Sequence, residues 1–161
     1  MKLDAKLVRY LTSDDYRVLA AVEIGSRNHE IVPTTLIAQI AALKKASIHS
    51  IISTLCRNNL IQPLRSKSNY DGYRLTYGGY DYLALKTFSS RNTVYAVGSQ
   101  IGVGKESDVH LVSNDSDTQF VLKIQRLGRT SFRDVKEKRD YLRHRGTGSW
   151  LYLSRFYSCL I

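Results

Sequence analysis

Gly102 and Gly104, followed by Lys105, Glu106, Ser107 and Val109 and then by Lys123, are the residues of this chain whose types and spacing best suit chemistry on a phosphorylated ligand. Glycine has no Cβ, so the backbone N–H groups around it can approach phosphate oxygens closely. A lysine on a nearby strand brings a compact positive charge to the same oxygens. Gly102, Gly104, Lys105, Glu106, Ser107, Val109 and Lys123 are therefore the candidate nucleotide-binding residues, and ATP is the candidate ligand. The competing reading is an ordinary hairpin with a surface lysine, because short motifs match by chance.

Two phosphate-binding patterns can be compared with these residues. The P-loop of NTPases needs a lysine followed by Ser or Thr, a glycine five residues before the second glycine, and a helix directly after. Here Glu106 follows Lys105, Ser99 stands five residues before Gly104, and Asp108 to Val112 alternates like a strand. The protein-kinase pattern G-x-G-x-x-G-x-V followed by a strand lysine fits better, with Ser107 in place of the third glycine. Asn114-Asp115-Ser116-Asp117 supplies turn chemistry between two strand-like runs, which predicts one antiparallel unit carrying Gly102, Gly104 and Lys123.

The elements around this unit follow from composition and periodicity. A length of 161 residues suits one ordinary domain or two small ones, and two are expected. The hydrophobic share of 43% and charged share of 24% are those of a soluble globular protein, with no apolar run of membrane-spanning length. The N-terminus lacks the apolar stretch of a secretory signal, so an intracellular location is expected. Cys56 and Cys159 have no metal-ligand spacing and are expected to be free thiols.

A formal charge of +10 suits a polyanionic partner. Half of that excess lies between residues 126 and 145, where Arg126, Arg129, Arg133, Lys136, Lys138, Arg139, Arg143 and Arg145 face only Asp134, Glu137 and Asp140. This segment reads either as a set of phosphate contacts or as a solvated helix face with internal ion pairs.

The first 90 residues read as a winged helix able to fold independently of the hairpin. Ser13 is expected to cap a first helix with Val18, Leu19, Val22 and Tyr16 on its apolar face and Gly25 as its stop. Pro33-Thr34-Thr35 opens a second carrying Leu36, Ile37, Ile40 and Leu43, and Ser47 caps a third with Ile48, Ile51, Ile52 and Leu55 inward. Residues 60–64 and 73–76 read as strands around a polar turn, the wing, with Pro63 marking an edge. Thr76 can cap a last helix containing Tyr80, Leu83, Ala84 and Phe88, and Ser89 to Asn92 form the linker. In helix-turn-helix proteins the third helix meets nucleic acid, and here it would expose Ser50, Ser53, Thr54, Arg57 and Asn58. Lys44, Lys45, Arg57, Arg65 and Lys67 are the candidate nucleic-acid contacts of this part, joined by Arg129, Arg133 and Arg139 from the basic segment, while Tyr70 and Tyr73 could stack on an unpaired base. A protein-binding or purely structural winged helix is the alternative.

A resemblance joins these pieces. His29-Glu30-Ile31-Val32-Pro33, Gly72-Tyr73-Arg74-Leu75-Thr76, Gly79 to Lys86, Gly102 to Asp108, Leu127-Gly128-Arg129-Thr130-Ser131-Phe132, Lys138-Arg139-Asp140-Tyr141 and Ser149 to Arg155 occur with the order and spacing of one family. Over residues 1 to about 155 the chain resembles the RIO family of atypical serine/threonine protein kinases, in its winged-helix-bearing type-two subfamily. The resemblance implies an α+β fold, with a winged helix-turn-helix domain over residues 1–90 and the start of a kinase-like N-lobe over residues 91–161. It implies ATP and Mg2+ as cofactors and action as a kinase and ATPase, mainly in the cytoplasm with shuttling through the nucleus left open. The implied partner is the small ribosomal subunit precursor, its rRNA and ribosomal proteins.

The family's catalytic and metal-binding aspartates match no residue of this chain, and Phe156 to Ile161 departs from the family's helix. A truncated N-lobe, inactive by itself and left with an exposed apolar end, is therefore expected. A non-catalytic winged-helix binder of rRNA or preribosomes is the alternative.

Overall fold

A computed structural model describes residues 3, 5–65, 71–105, 107–126 and 159–160, of which the side chains of Lys45, Arg65, Cys159 and Leu160 are left aside. The chain divides into two compact units, Leu3–Leu83 and Ala84–Ile161.

The first unit begins with a short 3-10 turn at Lys6–Arg9 and α1 at Ser13–Gly25. Thr12, not Ser13, is the N-cap of α1. The Asp15 N–H donates to Thr12 Oγ1 at 3.2 Å, and the Thr12 N–H donates to Asp15 Oδ2 at 2.8 Å. A cap at Ser13 would have placed Tyr16 where the returning carboxylate is needed, so the reciprocal bond selects the earlier residue. Gly25 is the last helical residue, and its role is close packing: a Cβ there would stand 2.5 Å from Val32 Cγ1.

Val32–Pro33 form a two-residue strand, β1, that periodicity did not reveal, and Pro33 leads directly into α2 at Thr34–Ala41. The left-handed Ala42, at φ 51°, ends α2, and only Leu43 and Lys44 separate it from α3 at Lys45–Arg57. Ser47, the expected cap, already lies within the first turn, its N–H bonded to the Lys44 carbonyl at 3.1 Å. Ile48, Ile52 and Leu55 on α3 join Val18, Leu19, Val22 and Ile37 in the core, whereas Ile51 is half-buried.

The wing consists of β2 at Ile61–Arg65 and β3 at Asp71–Leu75, in an antiparallel sheet ordered β1-β3-β2 that places Pro63 on an edge strand. Thr76 precedes α4, Tyr77–Ser90; its Oγ1 accepts from the Gly79 N–H at 3.2 Å and donates to the Asn59 carbonyl at 2.6 Å.

Tyr16 is 8% exposed. Burial, with Tyr82 and Asp15 nearby, pushes its phenol up from 10.0 to about 12. The folded-state pKa is raised, so the neutral phenol's contribution is complete below pH 10.0 and is lost as the pH climbs towards about 12. Tyr16→Phe should therefore flatten the alkaline fall in stability across that window. Urea unfolding at a series of pH values measures it, and identical slopes for variant and wild type would disprove the assignment.

The second unit holds the rest of α4 and an antiparallel sheet ordered β4-β5-β6-β7, with β4 at Ala96–Val103, β5 at Ser107–Ser113, β6 at Gln119–Gln125 and β7 at Cys159–Leu160. The β5–β6 register runs without interruption from Ser107 opposite Gln125 to Ser113 opposite Gln119. As the sequence predicts, Asn114 builds the connecting turn: its Oδ1 accepts from the Ser116 and Thr118 N–H groups at 3.0 and 2.9 Å. Strand alternation buries Asp108, His110, Val112, Leu122 and Ile124 on one face. The pairing of β7 with Leu122 and Lys123 was not expected from the apolar ending.

Candidate functional site

The geometry of the glycine-rich hairpin follows from strand register. Gly102 on β4 lies opposite Val109 on β5, which lies opposite Lys123 on β6. Residues directly opposed across antiparallel strands share a face, so these three form one row on the side away from Asp108 and His110. Two register irregularities in β4, between Val97 and Gln100 and between Gln100 and Gly102, bring Gly102 into that row. The turn is closed by the Gly104 N–H, which donates to the Ser107 carbonyl at 2.7 Å. Lys123 and Val109 are half-buried, while Gly104 and Lys105 at the tip are exposed. Glu106 lies outside the described residues.

Four of the described glycines fall into two contrasting pairs when a Cβ is imagined on each. At Gly72 it would stand 2.6 Å from the Val32 carbonyl oxygen, and at Gly79 it would collide with the Leu60 carbonyl. There the protein's own packing requires glycine. At Gly102 the nearest atom is Val109 Cβ at 3.8 Å, and at Gly104 it is the Ser107 carbonyl oxygen at 3.4 Å, both ordinary contacts. Neither residue has a left-handed φ. The fold leaves room for side chains at Gly102 and Gly104.

Beneath the turn, on the opposite face, Arg126 Nε donates to Asp108 Oδ2 at 2.9 Å, with the two side chains 4% and 1% exposed. This corrects the reading of Arg126 as one of the basic segment's phosphate contacts: its guanidinium is turned inward onto a carboxylate. Sequence reasoning missed the pair. The available signal was Asp108 itself, a charge at an inward position of an otherwise apolar alternation. The other basic-segment candidates, Arg129, Arg133 and Arg139, lie outside the described residues.

The remaining nucleic-acid candidates are dispersed. Lys44, at the N-cap of α3, and Arg57, its last residue, are exposed and about 20 Å apart along the helix. Ser50 and Ser53 are exposed as expected, while Thr54 turns its hydroxyl back to the Ser50 carbonyl at 3.1 Å. Lys45 opens α3 and Arg65 closes β2; Lys67 and Tyr70 lie outside the described residues. Tyr73 is half-buried, its phenol pushed up by burial and by Cys56 and Asp71 close by, so it is not an open stacking platform. Burial likewise raises the Cys56 thiol, which is free of any disulfide. Among the described residues no three His, Cys, Asp or Glu side chains are grouped to hold a metal ion, and no helix is long and apolar enough to cross a membrane.

A winged helix followed by an antiparallel sheet with a glycine-rich first turn and a lysine on its third strand is the architecture of a winged-helix-bearing, kinase-like N-terminal region. Residues 8–91 match the family model described as Rio2, N-terminal, and the chain belongs to the Rio2 family of RIO-type atypical serine/threonine protein kinases.

The chain is 57% identical over 155 residues to serine/threonine-protein kinase rio2 of Schizosaccharomyces pombe, covering 96% of this chain and 45% of that protein. It is 55% identical over 157 residues to serine/threonine-protein kinase RIO2 of Saccharomyces cerevisiae, covering 96% and 37%. The crystal structure of the Rio2 kinase-ADP/Mg2+-phosphoaspartate complex from Chaetomium thermophilum matches with a TM-score of 0.77 and 58% identity, over 92% of this chain and 44% of that one. The chain thus spans less than half the length of each of these relatives.

Proposed function

We propose that this chain supplies the winged helix, over residues 1–90, and the ATP-binding strands, over residues 91–161, of a RIO-type serine/threonine protein kinase and ATPase that acts in the cytoplasm on the small ribosomal subunit precursor. The observation that carries the nucleotide part is the openness of Gly102 and Gly104, two glycines that the fold itself does not require, in register with Lys123. Backbone N–H groups at the turn and the Lys123 ammonium would hold the phosphates, and Mg2+ would accompany them as the ion that bridges their oxygens. The solved relative holding ADP and Mg2+ supports that chemistry, and the excess of positive charge supports a ribonucleoprotein partner. The exposure of Lys44 and Arg57 favours a second reading, in which the winged helix binds rRNA without catalysis.

Gly104→Ala tests the proposal. A Cβ at that position meets only ordinary contacts, so stability should stay within about 0.5 kcal/mol of wild type. ATP affinity should fall about tenfold because the added methyl stands where phosphate oxygens approach. Calorimetric titration with ATP and Mg2+ measures it, on the chain joined to the remaining C-terminal part of the Schizosaccharomyces pombe relative. Unchanged affinity would rule out the glycine-rich turn as the phosphate site.

A further inference from the structure

The buried ion pair between Asp108 and Arg126 asks for a reason beyond stability. Burying two opposite charges costs several kcal/mol per ion before their attraction is counted, and apolar residues of similar size often hold a protein together as well or better. Its position supplies the reason. Asp108 is the first inward residue after the glycine-rich turn, set opposite Val103 on β4 and Ile124 on β6. The residue directly before it, Ser107, closes the turn by accepting the Gly104 N–H at 2.7 Å. Arg126 directly follows β6, three residues after Lys123. The 2.9 Å bond from Arg126 Nε therefore ties the start of β5 to the end of β6 with the directionality of a guanidinium contact. Because Asp108 lies on the face away from Gly102, Val109 and Lys123, the pair acts from behind and does not meet a ligand on that row.

We infer that Asp108 and Arg126 are positioning residues that hold the glycine-rich turn in fixed register with Lys123, so that backbone donors and the ammonium converge on the same phosphates. The inference rests on the nucleotide reading above, but its mechanical half stands apart from any ligand. The test replaces both charges of the pair by apolar residues, Asp108→Leu with Arg126→Met, in this chain joined to the remaining C-terminal part of the Schizosaccharomyces pombe relative.

Hydrogen exchange should show the Gly104 amide opening about tenfold faster while the Val112 amide, within the β5–β6 ladder opposite Phe120, keeps its protection. ATP affinity, titrated with ATP and Mg2+, should fall about tenfold with no loss of thermal stability. An unchanged Gly104 exchange rate overturns the inference, as does unchanged ATP affinity in the double variant. Failure of the wild-type chain to bind ATP would instead overturn the nucleotide reading, leaving the exchange rates to decide whether the pair holds the turn. Should the double variant not fold, Arg126→Lys replaces it, keeping a buried cation beside Asp108 without the guanidinium geometry. The same selective loosening at Gly104 is then expected, and wild-type exchange there overturns the inference.

Discussion

Lys123→Ala should lower ATP turnover by at least about a hundredfold in the complete kinase formed when this chain is joined to the C-terminal part of a relative. Lys123 stands opposite Val109, which in turn stands opposite Gly102, so its ammonium rises from the same row as the open turn. On the proposed nucleotide role, removing it takes away the strand-borne positive charge that would meet the phosphates, while leaving a half-buried position that alanine tolerates. Lys105→Ala is the informative control. Lys105 is exposed at the tip of the turn, and in a kinase-type loop its loss should change turnover by no more than about threefold. A P-loop would reverse the two effects. Turnover assays on both variants decide the matter, and equal activity of wild type and Lys123→Ala would remove Lys123 from the site.

Gly79→Ala should be the most damaging single methyl addition in the first unit. Its Cβ would collide with the Leu60 carbonyl and stand 2.6 Å from Leu75 Cδ2, and Leu60 and Leu75 are 2% and 0% exposed. Neither a backbone carbonyl nor a packed core leucine can move aside cheaply, so α4 must shift as a body. A loss of about 3 kcal/mol or more is expected. Chemical denaturation of the chain followed by circular dichroism measures it. A loss below about 1 kcal/mol would show that α4 does not pack on Leu60 as described. Set beside Gly104→Ala, this variant separates a glycine needed for folding from one left open at the surface.

Much of the architecture was legible because it is written locally. The helical spacing of Val18, Leu19 and Val22 and of Ile48, Ile52 and Leu55 gave α1 and α3, and the alternation through Asp108 to Val112 gave β5. That Gly102, Gly104 and Lys123 lie on one antiparallel unit was readable from the turn chemistry at Asn114, whereas the row itself depends on the β4 register breaks, which no local pattern announces. What escaped was decided by partners distant in sequence or by competition between neighbours. β1 exists only because Val32 and Pro33 meet Tyr73 and Gly72. Thr12 displaced Ser13 as cap because Asp15 can return the bond, and Ser47 lost its place because the α2–α3 turn is so short. Arg126 looked like one cation in a basic run until its partner eighteen residues away, Asp108, came into view.

The irregular pairing of β4 has a consequence for the behaviour of its exposed edge. Among the described strands β4 is the outer one of its sheet; it carries no charged residue from Ala96 to Val103 and exposes Ile101 and Val103. A long uncharged edge, when flat, is a template on which a second chain can add a strand and begin to aggregate. The two register breaks around Gln100 twist that edge and interrupt its ladder, so a straight incoming strand cannot pair along its whole length. The distortion that aims Gly102 thus also acts as a guard against self-association, at an edge where charge, the usual deterrent, is missing.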